Sequence, residues 1–281
     1  MENQKIVELF ATSAKQKGVK WASTVARQQC PFVKKRCVKT RKSEPSVSIG
    51  TCTVAYGRNN DNVIICPHRL TENNQIFLDC IHLLTLHEPG NELHIIPEIS
   101  IPSGNVDYVF ASVRNGKVKD FVGIELQALD TTGSVWNYRQ SFLKSKGITQ
   151  VEFDANVTFG INWKMTAKTI LVQMHHKIST FENLNRHLVL VLQDCLMSYM
   201  RKEFSFSHIS SIPKTGDSFH FHSYQLLAEC NRYQLSLLER ASTDANGISK
   251  CLGLQAEANV DLEIILKTLE NKISGKTLLK L

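Results

Sequence analysis

The stretch Ile95–Asp130, IIPEISIPSGNVDYVFASVRNGKVKDFVGIELQALD, decides how the 281-residue chain is read. Val106–Val113 and Lys119–Ala128 are rich in β-branched and apolar residues, and Asn115-Gly116 between them is a turn signal, so the segment predicts a β-hairpin. Side chains alternate along a strand, so Phe121, Gly123, Glu125 and Gln127 share one face, while Val122, Ile124 and Leu126 take the other. An acid and an amide among apolar neighbours are costly to bury without partners, which makes this face the candidate site. Whether Asp107 joins it depends on the turn. A two-residue loop pairs position 114 with 117 and sets Asp107 opposite Ile124, on the wrong face. A three-residue loop, Arg114-Asn115-Gly116, with a left-handed glycine in a bulge, pairs 113 with 117. Asp107 then faces Gly123, diagonal to Glu125. The three-residue loop is the expectation.

Two carboxylates beside a neutral polar group suit metal-assisted phosphodiester hydrolysis. Mg²⁺ takes hard oxygen ligands and keeps several waters, so Asp107 and Glu125 are expected to hold it with room left for phosphate. Gln127 has no useful pKa and is no base, but its amide orients a water or donates to a phosphate oxygen.

The formal net charge is +7 with a pI near 8.9, which favours a polyanionic partner. Lys34, Lys35, Arg36, Lys39, Arg41 and Lys42 crowd around Cys37. Of the eight cysteines, Cys30, Cys37, Cys52 and Cys66 fall close together. In a reducing compartment these form a tetrahedral zinc or iron site sooner than disulfides. Proline follows Cys30 and Cys66, and Gly50 precedes Cys52 by two residues, so tight turns offer backbone N–H groups to the sulfurs. Cys80, Cys195, Cys230 and Cys251 read as small core residues. No run of eighteen apolar residues is present to span a membrane. The N-terminus, MENQKIVELFATSAKQKGVKW, has apolar residues at helical spacing and lacks the pattern of a signal peptide, so a helix and a cytoplasmic location are expected.

Asp107 followed by Glu125-Leu126-Gln127 resembles the PD-(D/E)XK nuclease signature with glutamine in place of lysine. Together with Cys30-Pro31-Phe32, Cys37-Val38-Lys39, Gly50-Thr51-Cys52 and Cys66-Pro67-His68, the chain is similar to the NotI family of restriction endonucleases. The likeness extends through Phe159–Lys164. The resemblance implies a type II enzyme, a homodimer that cuts a short palindromic, GC-rich site in double-stranded DNA with Mg²⁺. It implies iron, with zinc as the alternative, at the four cysteines, and an upstream acid assisting the site. Glu98 is the candidate for that acid, with Glu92 the alternative. The Lys34–Lys42 run, Asn162, Trp163 and Lys164 are the candidate DNA contacts. One competing reading is a metal-stabilised DNA-binding protein without catalysis, which leaves the acidic face unexplained: carboxylates beside phosphate repel unless a cation lies between. Another is a nuclease of a different biological role, acting on RNA or damaged DNA, which the core motif also allows.

The fold expected is α/β (α+β), a nuclease core with a mixed central sheet flanked by helices. A four-cysteine subdomain precedes it, dividing the chain into 1–90, with an N-terminal helix, and 91–281. Val157–Lys177 reads as a strand end or loop leading into a helix, Arg186–Asp194 as a buried, parallel strand, and Leu196–Phe204 as a helix. His175 and His176 fall near a helix end, His220 and His222 read as a surface pair, and Ala256–Leu269 as a packing helix.

Overall fold

The computed structural model describes residues 4–148, 158–254, 266–267 and 270–271. Strands β1 (Ile6–Leu9), β2 (Thr12–Ser13), β3 (Thr51–Tyr56) and β4 (Asp61–Ile64) make a four-stranded sheet in the order β2-β1-β3-β4. The expected N-terminal helix is therefore corrected to a strand, and the first helix is α1 (Trp21–Arg27). Every residue of β1 is buried, Glu8 included. Tertiary burial overrides the helical spacing, because the Arg69 guanidinium lies 2.9 Å from the Glu8 carboxylate and satisfies it inside the protein.

The main sheet holds six strands in chain order: β5 (Glu92–Ile101), β6 (Gly104–Arg114), β7 (Lys117–Gln127), β8 (His187–Gln193), β9 (Phe219–Glu229) and β10 (Arg232–Thr243). β8 runs parallel to β7 and β9, and the other neighbours are antiparallel. The apolar run at the centre of β8, Leu188–Leu192, is fully buried, as a parallel strand covered on both faces must be.

On one face lie α3 (Val135–Ser145), α4 (Trp163–Asn183) and α5 (Asp194–Glu203). The α4 stripe of Ala167, Ile170, Leu171, Met174, Ile178 and Phe181 shares a core with Leu188, Leu190 and Leu192. The same core includes Ile6, Trp21 and Cys30 from the N-terminal region. On the other face, α2 (Gln75–Leu78) and the turn before it cover Val122, Ile124, Leu126, Val189 and Val191. A short helix, α6 (Ala245–Cys251), follows β10. The chain is thus mixed α/β with a mixed, helix-flanked sheet. No helix among the described residues is long and apolar enough to cross a membrane.

Three smaller expectations change. His220 and His222 do share a strand face, but both are buried, not a surface pair, because β9 is an inner strand under the α2 side. Burial pushes His220 down to about 3. Cys80 and Cys251 are core residues, whereas Cys195 is half-buried and Cys230 is exposed at the β9–β10 turn. His175 and His176 lie within α4, well before its end at Asn183. The helix expected over Ala256–Leu269 falls outside the described residues apart from 266–267.

Candidate active site

The β6–β7 turn is the two-residue kind. Arg114 pairs with Lys117, and Asn115 and Gly116 have φ of +52° and +70°. These are the left-handed residues of a type I′ turn, whose twist matches the strands it joins. The three-residue loop is therefore corrected. The extra residue lies in the strand: Val113 pairs with Val118 and Ser112 with Asp120, so Lys119 is bulged. Buried Asp120 anchors the bulge, ion-paired to Arg186 at 3.1 Å and accepting from the Leu86 N–H at 2.7 Å. Beyond it the pairing continues to Tyr108–Ile124, the last pair before Asp107, and the Asp107 backbone N–H is directed at the Glu125 carboxylate. The loop differs from expectation, yet Asp107 and Glu125 line the same cleft.

Asp107, Glu125 and Gln127 line one cleft between the end of this hairpin and α4. The Leu126 N–H donates to Asp107 Oδ2 at 2.8 Å, and Asp107 itself is exposed. Glu125 is 5% exposed. Its Oε1 accepts from Lys177 Nζ at 2.6 Å, and the same ammonium donates to the Asn105 carbonyl. Burial pushes the Glu125 carboxyl up to about 7; the Lys177 hydrogen bond opposes that rise and the Asp107 charge adds to it. Half-buried Gln127 donates its amide to the Ala128 carbonyl.

Gly123 sets the spacing between sheet and helix. A Cβ there would run into the Phe181 ring, so only glycine lets α4 lie this close. Lys177 is one helical turn before Phe181 and comes down on Glu125. The sequence offers Lys177 among several basic side chains of this helix and His176 as a phosphate contact, but places neither in the site and passes over Gln173 beside them in the cleft. The signal was present: Lys177 falls in the apolar stripe of Ile170, Met174 and Phe181, where a cation needs a buried partner.

Asp107 also has an acid on its other side. The pairs Val106–Ile99 and Tyr108–Pro97 bracket Glu98 on β5, which is exposed with φ of +54°. Glu92 pairs with Val113 at the far end of the hairpin.

Cys30, Cys37, Cys52 and Cys66 are all buried and line one small cavity with Phe10, Gly50 and His68. Gly50 has φ of +69° and lies against the Phe10 ring, leaving no space for a side chain. The Ala11 N–H is directed at the Cys52 sulfur and the His68 N–H at that of Cys66, while burial pushes both thiols up. Among the described residues no three His, Cys, Asp or Glu side chains converge at metal-ligand distances. The four thiols share a cavity without being drawn to one point. Four soft donors with N–H groups aimed at two of them fit a tetrahedral thiophilic ion once the thiols turn inward.

This cysteine region borders the acidic cleft. Burial lowers the His68 pKa, and so does Lys35, while Asp107 and Glu98 raise it. Lys34, Lys35, Arg36 and Lys42 are exposed. Arg36 donates to the Pro45 carbonyl at 3.4 Å, Lys39 to the Ile65 carbonyl at 3.1 Å, and Arg41 lies 4.7 Å from the centre of the Trp136 ring. Three members of the basic run thus hold the region's own shape. Asn162 precedes α4, Lys164 is exposed, and Trp163 packs 5.7 Å from the Tyr199 ring, roughly 10 Å along the helix from Ile170.

A family model described as Restriction endonuclease NotI matches residues 17–213, well over half of the chain. A search of curated proteins found no match. The matched span holds the four cysteines, the acidic hairpin, α4 and β8, and the chain accordingly belongs to the NotI restriction endonuclease family, a type II DNA-cleaving hydrolase.

Proposed function

We propose that the chain hydrolyses double-stranded DNA at a short, palindromic, GC-rich site, dependent on Mg²⁺, through a glutamine variant of the PD-(D/E)XK core. The observation that carries this is the cleft that Asp107, Glu125 and Gln127 line together, with Asp107 Oδ2 accepting from the Leu126 N–H between the other two. Asp107 and Glu125 are the metal ligands. When bound there, Mg²⁺ supplies positive charge against the phosphate and a more acidic water. Gln127 turns its amide from the Ala128 carbonyl to orient the attacking water or to donate to a phosphate oxygen. Glu98, beside Asp107 on the neighbouring strand, assists with water or metal. In the net reaction the water oxygen bonds to phosphorus, one P–O ester bond breaks, the water loses a proton and the departing oxygen gains one.

Cys30, Cys37, Cys52 and Cys66 hold a structural iron or zinc ion that stiffens residues 1–90 against the catalytic region 91–281. Lys34, Lys35, Arg36, Lys39, Arg41 and Lys42, with Asn162, Trp163 and Lys164, provide the DNA contacts. Exposed Lys34, Lys35 and Lys42 suit phosphates, and arginine suits bidentate contact with guanine. A homodimer presents two copies of the cleft about a two-fold axis, which is the symmetry of a palindrome. A cytoplasmic location keeps these cysteines reduced and free to bind the ion. The test is digestion of plasmid and genomic DNA with Mg²⁺ or EDTA, followed by sequencing of the fragment ends. Ends sharing one short palindrome only with Mg²⁺ are expected. DNA that stays intact across a whole genome, yet is bound by the protein, overturns the nuclease reading in favour of a binding protein.

A further inference from the structure

We infer that Lys177 is a catalytic residue that delivers its ammonium to the scissile phosphate from α4, in place of the cation absent from position 127 of β7. The inference rests on the reading of this cleft as a phosphodiester hydrolase. Lys177 lines the cleft with Asp107, Glu125 and Gln127. Its side chain is 10% exposed, and its ammonium lies 2.6 Å from Glu125 Oε1 while donating to the Asn105 carbonyl. An ammonium has three donors, and the third has no protein acceptor among the described residues.

The simpler alternative is a strut that ties α4 to the sheet. The packing does not need one. Met174, Ile178 and Phe181 already bury the same helix face, and a buried ion pair contributes little beyond what apolar side chains of that size achieve. Asp107 and Glu125 repel an approaching phosphate, and a cation in the same cleft offsets that penalty.

The test measures binding of duplex DNA against salt concentration in EDTA for Glu125→Gln and for Glu125→Gln with Lys177→Met. The duplex is one that the unaltered chain cuts, or a random sequence if none is cut. If Lys177 meets a phosphate, removing it lowers the slope of log affinity on log salt by about 0.9. Lys177→Arg in the same background keeps the slope. Because Glu125 is already neutral in this pair, an effect exerted only through Glu125 disappears from the comparison. In parallel, single-turnover cleavage with saturating Mg²⁺ is expected to fall at least 100-fold in Lys177→Met and to recover partly in Lys177→Arg. Equal slopes, or cleavage by Lys177→Met within threefold of the unaltered chain, overturn the assignment. Failure of the unaltered chain to cut DNA overturns the nuclease reading by itself, and the slope comparison then still decides whether Lys177 reaches phosphate. Loss of all DNA binding by the unaltered chain overturns both.

Discussion

Glu125 makes the stability of the metal-free protein depend on pH in an unusual direction. Most acids in folded proteins are stabilised as anions, but burial holds this one up at about 7 against an ordinary 4.5. Below pH 4.5 both folded and unfolded chains keep the proton, and the group has no effect. Between 4.5 and about 7 the unfolded chain releases the proton while the folded chain retains it, so folding stability falls as pH rises. Above that range the full penalty persists. At about 1.4 kcal/mol per pH unit the penalty is about 3 kcal/mol, and a carboxyl only 5% exposed leaves solvent little scope to screen it. The assay is urea unfolding in EDTA of the unaltered chain and Glu125→Gln across pH 4.5–8.5. The stability of the unaltered chain relative to the variant is expected to decline by about 3 kcal/mol over that range. Addition of Mg²⁺ at the alkaline end should recover part of it, because the metal binds the ionised form. A difference that stays flat with pH, or rises, refutes this description of the site.

Further outcomes follow from other contacts. Gly123→Ala places a Cβ where the Phe181 ring now lies and should cost about 1–3 kcal/mol in denaturant unfolding; unchanged stability would mean that α4 does not rest on this strand. Cys52→Ala should lose its bound iron or zinc by elemental analysis and melt at lower temperature, and a folded variant with full metal content would remove Cys52 from the ligand set. Lys35→Ala should weaken binding to all DNA sequences alike and lower the salt slope by about 0.9, whereas an effect confined to one base position would identify Lys35 as a base reader.

The parts of the fold visible in the sequence are those fixed by local pattern. The hairpin, the face shared by Glu125 and Gln127, and the buried strand at His187–Gln193 all follow from side-chain alternation or from a continuous apolar run. Register was less legible. Asn115-Gly116 specifies its own turn, but the bulge at Lys119 is set by Asp120 reaching Arg186 and Leu86, contacts distant in sequence. The N-terminal strand was hidden for a similar reason: Glu8 looks like a solvent-facing residue until Arg69 supplies its buried partner. Lys177 stands between these cases. Its place in an apolar stripe was readable, but its partner on β7 lies 52 residues away, and only the approach of α4 over Gly123 joins them.

On the proposed function, Asp107 and Glu125 form one metal-dependent cleavage centre. Single-turnover cutting of a mapped duplex by Asp107→Ala beside the unaltered chain, with Mg²⁺ and with DNA binding measured on the same samples, tests it most directly. The expected result is loss of cleavage by at least 100-fold with DNA binding retained. Cleavage by the variant at an undiminished rate, or cutting by the unaltered chain that persists in EDTA, would contradict it.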